Sequence, residues 1–146
     1  MIEGVIINQL ISHKDNRGFF REIFRVKKNN KNIYIKQISH SLVNKNIIKG
    51  WHGHKKQYQW NYIHSGSALV ILYDDRINSK TYKKIVKIEF NKNKNICGYF
   101  FPPGVLHGYK CTKGPMNIIY GTSGFYNLKQ EIRKKITYKK LNNLFK

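Results

Sequence analysis

Short apolar runs rich in Ile, Val, Tyr and Phe recur along this chain, and each is cut off by Gly, Asn, Asp or Pro before it could complete a helix. That rhythm predicts an all-β sandwich or barrel, because β-branched and aromatic residues fit a pleated, half-buried surface while the breakers supply turns. Strands are expected in GVIINQL, GFFREIF, NIYIKQI, YQWNYI, SALVILY, KIVKIEF, CGYFF, VLHGYK and MNIIYGT. Turns are expected at DNRG, HSGS, YDDRINS, NKNKN, PPG and TKGP. In KIVKIEF, Val86, Ile88 and Phe90 alternate with Lys87 and Glu89, the pattern of a strand with one wet face. SALVILY is apolar throughout and reads as a central strand covered on both sides.

The end of the chain has a different period. In NLKQEIRKKITYKK, Leu128, Ile132 and Ile136 recur every four residues with charge between them, which predicts a short basic amphipathic helix lying on the sandwich. The 146 residues suffice for one core, so a single domain over 1–146 is expected. The 28 Lys and Arg against 7 Asp and Glu leave a formal charge of +21. Such an excess ordinarily marks a polyanion partner. Here it is spread through Lys- and Asn-rich stretches such as NNKNIYIK and FNKNKNI and not gathered into one stripe, so nucleic acid is not expected as the partner. A phosphate-bearing small ligand fits the charge equally well. Cys97 and Cys111 lack CxxC spacing, so neither a disulfide framework nor a zinc ribbon is expected. With no membrane-length apolar run and no leader-like start, the expected location is the cytoplasm.

The chemistry concentrates in two stretches, His52-x-His54-x4-Gln59-x6-Gly66 and Pro102-x-Gly104-x2-His107. On a strand, side chains two apart share a face, so His52 and His54 should enter one cavity, with His107 joining if its strand pairs nearby. The two-part pattern resembles the cupin superfamily, whose fold is a double-stranded β-helix, or jelly roll. In metal-binding cupins a glutamate stands with the histidines; Gln59 holds that place here and is a neutral, weak ligand. Three histidines alone meet the count for an open zinc site. On balance the expectation is no metal and no other cofactor.

A closer resemblance covers MIEGV, DNRGFFREIF, KQISHS, IIKGWHGHKKQ, SGSALVILYDDRINSKTY, FFPPGVLHGYK and YGTSGFY, in order from residue 1 to about residue 131. Together they resemble the dTDP-4-dehydrorhamnose 3,5-epimerase family, in particular its short, cupin-only members. The resemblance implies an isomerase acting at C3 and/or C5 of a dTDP-linked (or other nucleotide-linked) 4-keto-6-deoxy hexose in deoxysugar and polysaccharide biosynthesis, and a homodimer. It implies His52 as catalytic base and Tyr120 as the acid that reprotonates the carbon. It places Arg17, Phe19, Glu22, Gln37 and Lys49 at the nucleotide and its diphosphate, and His107 and Tyr126 at the sugar. His54 and Gln59 are further binding candidates. A proton beside a ketone is acidic enough for an imidazole to remove, provided the enolate oxygen is stabilised.

Two departures stand out. The family charges its base with an aspartate from a later segment, and no Asp follows Asp75 here. Its enolate-stabilising lysine falls near Gln59. HGHKKQYQ also resembles the cupin sugar 3,4-ketoisomerases, which shuttle a proton with a histidine pair, and loss of turnover would leave a nucleotide-sugar-binding module. These two alternatives stand beside the epimerase reading. His13 and His64 read more simply as surface or hydrogen-bonded histidines, and His40 stands evenly between that and a ligand contact. At least one of Trp51 and Trp60 reads as a core aromatic, with stacking of Trp60 or Tyr62 on a base or sugar as the alternative, and YDDR reads as a turn with its ion pair.

Overall fold

The computed structural model describes residues 1–25, 34–91, 96–134 and 143–145. Its strands are β1 (Ile6–Gln9), β2 (His13–Asp15), β3 (Gly18–Phe20), β4 (Gln37–Val43), β5 (Ile48–His54), β6 (Gln59–Asp74), β7 (Ile85–Asn91), β8 (Cys97–Phe101), β9 (Val105–Thr122) and β10 (Glu131–Arg133). The main sheet runs β1-β8-β6-β9-β5-β10, with β4 also on β9 and β7 also on β6, and all its pairs are antiparallel.

β6 and β9 organise everything else. They pair along their whole length, from Gln59 opposite Thr122 to Asp74 opposite Val105. One half of β6 carries β8 on its free side and the other half carries β7; β9 likewise carries β4 at one end and β5 at the other. The long ribbon therefore bends and folds its two halves face to face, making the jelly-roll sandwich of the cupin type.

The bend corrects the sequence reading, which has turns at HSGS and TKGP. Both stretches remain inside strands, and the register of β6 against β9 slips between Ile63 and Ala68 instead. Such bulges let a strand kink without ending. Gly66 permits the kink: its φ is 82°, and a Cβ there would stand 2.7 Å from Lys113 O and 2.8 Å from Met116 Cα. The slip also changes which side chains face inward, from Gln59, Asn61 and Ile63 before it to Ala68, Val70 and Leu72 after it.

The main core joins Ile63, Val70, Leu72, Ile88, Phe90, Phe101, Met116 and Ile118. A second cluster on the outer side of the β6–β9–β5 layer joins Trp51, Ile71, Leu106 and Phe145. SALVILY is thus covered on both sides, Val70 and Leu72 by the first cluster and Ile71 by the second, while β7 shows the expected alternation with Lys87 and Glu89 exposed. YDDR forms a loop in which buried Asp74 accepts from Arg76 Nε, Ser79 Oγ and Thr81 Oγ1. GFFREIF forms strand only over Gly18–Phe20, and the described part of NIYIKQI, from residue 34, enters strand at Gln37.

The predicted C-terminal helix is corrected. Leu128–Gln130 is one 3-10 turn, after which Glu131–Arg133 pairs with β5. The four-residue recurrence of Leu128 and Ile132 mimics a helix, but Ile132 lies opposite Gly53 and packs with the Trp51 cluster, a position available only to an extended chain. Reciprocal hydrogen bonds between Trp51 and Lys134 extend the pairing. Ile136 and the rest of that run, residues 135–142, lie outside the described residues.

Candidate active site

The polar end of the sandwich interior holds a cavity of about 320 Å³ framed by β4, β5, β6, β9 and β10. β5 contributes Lys49, His52 and His54. His52 and His54 share a face by strand periodicity, and a bulge between Lys49 and His52 brings the lysine to the same side. Trp51 points the opposite way into the second cluster. Antiparallel pairing then sets the neighbours: His52 lies opposite His107 on one side and Arg133 on the other, and His54 lies opposite Glu131.

Glu131 supplies a carboxylate that the search for a late aspartate passes over. Its Oε1 accepts from His54 Nδ1 at 2.8 Å, with the two side chains only 7% and 10% exposed. His54 Nε2 and Gln59 Oε1 lie 2.7 Å apart in a hydrogen bond, and Gln59 Nε2 donates to Asn61 Oδ1 at 2.7 Å. Glu131, His54, Gln59 and Asn61 therefore form one buried chain. Both nitrogens of His54 are occupied inside it, so the histidine-pair shuttle of the ketoisomerase alternative has only His52 with a ring free of such bonds among the described residues. The same occupancy removes His54 from a three-histidine metal set, and no group of three or more His, Cys, Asp or Glu side chains among the described residues is arranged to hold a metal ion.

His52 stands differently. Burial lowers its pKa below the usual histidine value, Arg133 adds to the effect, and Glu131 opposes it. The shift favours the neutral imidazole, the form that accepts a proton. The His107 ring packs 4.6 Å from Phe101, and burial with its two histidine neighbours holds its pKa well below the ordinary value. β9 also places Tyr109 and Tyr120 in the cavity wall, Tyr120 in register with Asn61. Burial, with Tyr120 and Cys111 nearby, pushes Tyr109 up to about 12, so it remains a hydrogen-bond donor at neutral pH. At the mouth, Arg133 Nη2 donates to the Tyr126 hydroxyl at 3.0 Å, and Tyr126 N donates to Gln37 Oε1 at 3.0 Å.

Of the residues singled out from sequence, Gln37, Lys49, His52, His54, Gln59, His107, Tyr120 and Tyr126 line this one cavity. Arg17, Phe19 and Glu22 do not. Arg17 pairs with Asp15 on an exposed hairpin, Phe19 is 62% exposed, and Glu22 pairs with Arg25 beside a separate groove lined by Trp60 and Phe100. Arg21 donates to Ser12 Oγ and the Tyr62 hydroxyl. Sequence reasoning passed over Asn61, Tyr109, Glu131 and Arg133. The in-out-in pattern of Glu131, Ile132 and Arg133 is three residues long, too brief to compete with a four-residue recurrence.

The comparisons with known proteins agree with this architecture. The family model described as dTDP-4-dehydrorhamnose 3,5-epimerase matches residues 1–142. The chain belongs to that family. It is 37% identical over 139 residues to the spore coat polysaccharide biosynthesis protein SpsL of Bacillus subtilis (strain 168), covering 94% of this chain and 91% of SpsL. Its fold superposes on the dTDP-4-dehydrorhamnose 3,5-epimerase of Sulfolobus tokodaii with a TM-score of 0.82 at 28% identity, over 93% of this chain and 80% of that one. It superposes on ChmJ, a 3'-monoepimerase of Streptomyces bikiniensis solved with dTDP-quinovose, with a TM-score of 0.85 at 19% identity, over 96% of this chain and 74% of that one. As a member of the family, the chain is a dTDP-sugar epimerase or isomerase of sugar biosynthesis.

Proposed function

We propose that this chain works as one cupin domain that epimerises C3 and/or C5 of a dTDP-linked 4-keto-6-deoxy hexose for polysaccharide assembly, with no cofactor. The observation that carries the reading is the cavity itself, in which a neutral His52 and Tyr120 face the same space in a member of this family. His52 takes the proton beside the ketone, and Tyr120 returns one to the opposite face of the resulting enolate. Lys49 and Arg133, both at the cavity, supply positive charge for the diphosphate, and Gln37, His107 and Tyr126 complete the polar wall around the nucleotide sugar. Lys49 provides a point charge without the bidentate fork of an arginine.

A homodimer fits the exposed hairpin. Arg17 and Phe19 lie outside this chain's own cavity, and the hydrophobic groove beside Glu22 borders β1, the edge of the main sheet. In this reading the hairpin serves the nucleotide end of a second copy's cavity. The cytoplasm, where nucleotide sugars are made, is the matching location; no helix among the described residues is long and apolar enough to cross a membrane.

The decisive experiment incubates the protein with dTDP-4-keto-6-deoxy-glucose in deuterated water and follows C3 and C5 by NMR. Deuterium at either carbon supports the epimerase, with His52→Asn and Tyr120→Phe each slowing exchange about 100-fold or more. Migration of the ketone to C3 would identify a ketoisomerase, and saturable dTDP binding without exchange would identify a binding module.

A further inference from the structure

The buried hydrogen-bond chain ends on an atom with nothing to bond. Asn61 is 2% exposed and lines the cavity, its Oδ1 accepts from Gln59, and its Nδ2 has no hydrogen-bond partner among the described residues. Leaving a buried donor unpaired is costly, so such an atom on a cavity wall marks a place where a ligand oxygen completes the bonding. The direction of the chain decides what the cavity sees. Gln59 meets His54 Nε2 through its Oε1 and Asn61 Oδ1 through its Nε2, which turns the Asn61 amide nitrogen away from Gln59. The amide N–H of Asn61 at the end of the chain is left for the ligand.

We propose that the Asn61 carboxamide is the catalytic hydrogen-bond donor to the keto oxygen of the sugar, oriented by Glu131, His54 and Gln59. This rests on the epimerase reading above. When His52 takes the proton from the carbon beside the ketone, the C–H electron pair becomes the carbon–carbon double bond and the carbonyl pair moves onto oxygen. The Asn61 N–H then faces an enolate instead of a neutral carbonyl, and its bond strengthens as that charge develops. Tyr120 gives its proton to the opposite face of the carbon while the carbonyl reforms. The phenolate regains a proton from solvent and the His52 imidazolium releases one, so both groups end as they began. The unpaired Nδ1 of His107 shares the cavity and is available to a neighbouring sugar oxygen.

The test compares two variants with the wild type in the deuterium-exchange assay on dTDP-4-keto-6-deoxy-glucose. Asn61→Leu removes the donor while nearly preserving shape; the expected result is a 100- to 1,000-fold loss in kcat, the usual effect of deleting one donor to a developing oxyanion. Binding of dTDP alone should stay within threefold, since the contact is to the sugar. Gln59→Glu leaves Asn61 in place but puts an acceptor-only group against it, so the Asn61 amide must reverse and present its oxygen to the cavity. A comparable kcat loss with unchanged dTDP binding is expected, and this variant decides the matter if Asn61→Leu does not fold. Exchange by a folded Asn61→Leu protein within threefold of wild type overturns the donor role, and wild-type exchange in Gln59→Glu overturns the orienting chain. If the wild type itself exchanges no proton, the epimerase reading fails and this role falls with it; if it exchanges and the variants match it, only the present inference fails.

Discussion

The carboxylate of Glu131 lies 2.8 Å from Nδ1 of His54, two residues along β5 from His52. The pairing answers the apparent lack of a late carboxylate in a family whose base is expected to need one, but it does so on the neighbouring histidine. His54 becomes a ring held at both nitrogens within the wall, and His52 is the histidine the proposed mechanism assigns to the substrate. Glu131 favours a positive charge on His52 from a distance, while Arg133 on the same short strand opposes it.

Glu131→Gln removes the anion from a pair that is almost fully enclosed. Breaking a charge-assisted buried hydrogen bond costs about 2 kcal/mol, and the buried end of the chain then loses the group that sets its polarity. The expected outcome is a lower urea midpoint, corresponding to an unfolding free energy smaller by about 2 kcal/mol, together with slower exchange on the keto sugar. An unchanged midpoint would show that the carboxylate is dispensable to the wall.

The pH dependence of turnover follows from His52. The base acts only when neutral, and its folded pKa lies below the ordinary value of about 6.5, so kcat/KM should hold level down through that pH and fall only in more acidic solution. Arg133→Met removes a cation that depresses this pKa, so the acidic limb should move toward higher pH. A limb that stays where it was would contradict the assignment of His52 as base.

Stability should respond to the same acid range through His107. Its folded pKa is depressed well below the unfolded value, so the unfolded chain binds the proton more readily. Its contribution is complete above about pH 6.5 and is lost progressively as the pH drops toward the folded pKa. Thermal unfolding at pH 7.5 and pH 5 should differ, and His107→Phe, which also packs on Phe101, should shrink the difference.

Asp74 tests the scaffold apart from the site. It is fully buried at the end of β6, its carboxylate held far below the usual range by Arg76, Thr81 and Ser79 against the cost of burial. Asp74→Asn leaves the Arg76 guanidinium without its anion and should cost about 3 kcal/mol in chemical denaturation. The cavity is at the other end of the strand, so exchange per folded molecule should remain at the wild-type level.

Local patterning was enough to reveal a strand-built sandwich, the wet and dry faces of β7, the double covering of SALVILY and the convergence of His52, His54 and His107. Each of these depends on side-chain period or on motifs whose spacing is short. HSGS and TKGP misled because small and turn-forming residues also mark a strand that bends within a sheet, and only the pairing of β6 with β9 distinguishes the two. The last strand misled for a related reason: Leu128 and Ile132 recur at helical spacing, yet the free edge of β5 offers backbone hydrogen bonds and the Trp51 cluster offers a place for Ile132. An edge seeking a partner is a property of the folded sheet and leaves no local mark in the chain.

The linear order of residues thus decided the fold class and the histidines, because periodicity and short motifs are encoded within a few positions. Tertiary structure decided which histidine receives the carboxylate, why Arg17 and Phe19 miss this chain's cavity, and that Asn61 faces it with a free N–H. Those outcomes depend on strand register across separations as long as the 77 residues between His54 and Glu131, where a shift of one residue would turn the whole site to the other face.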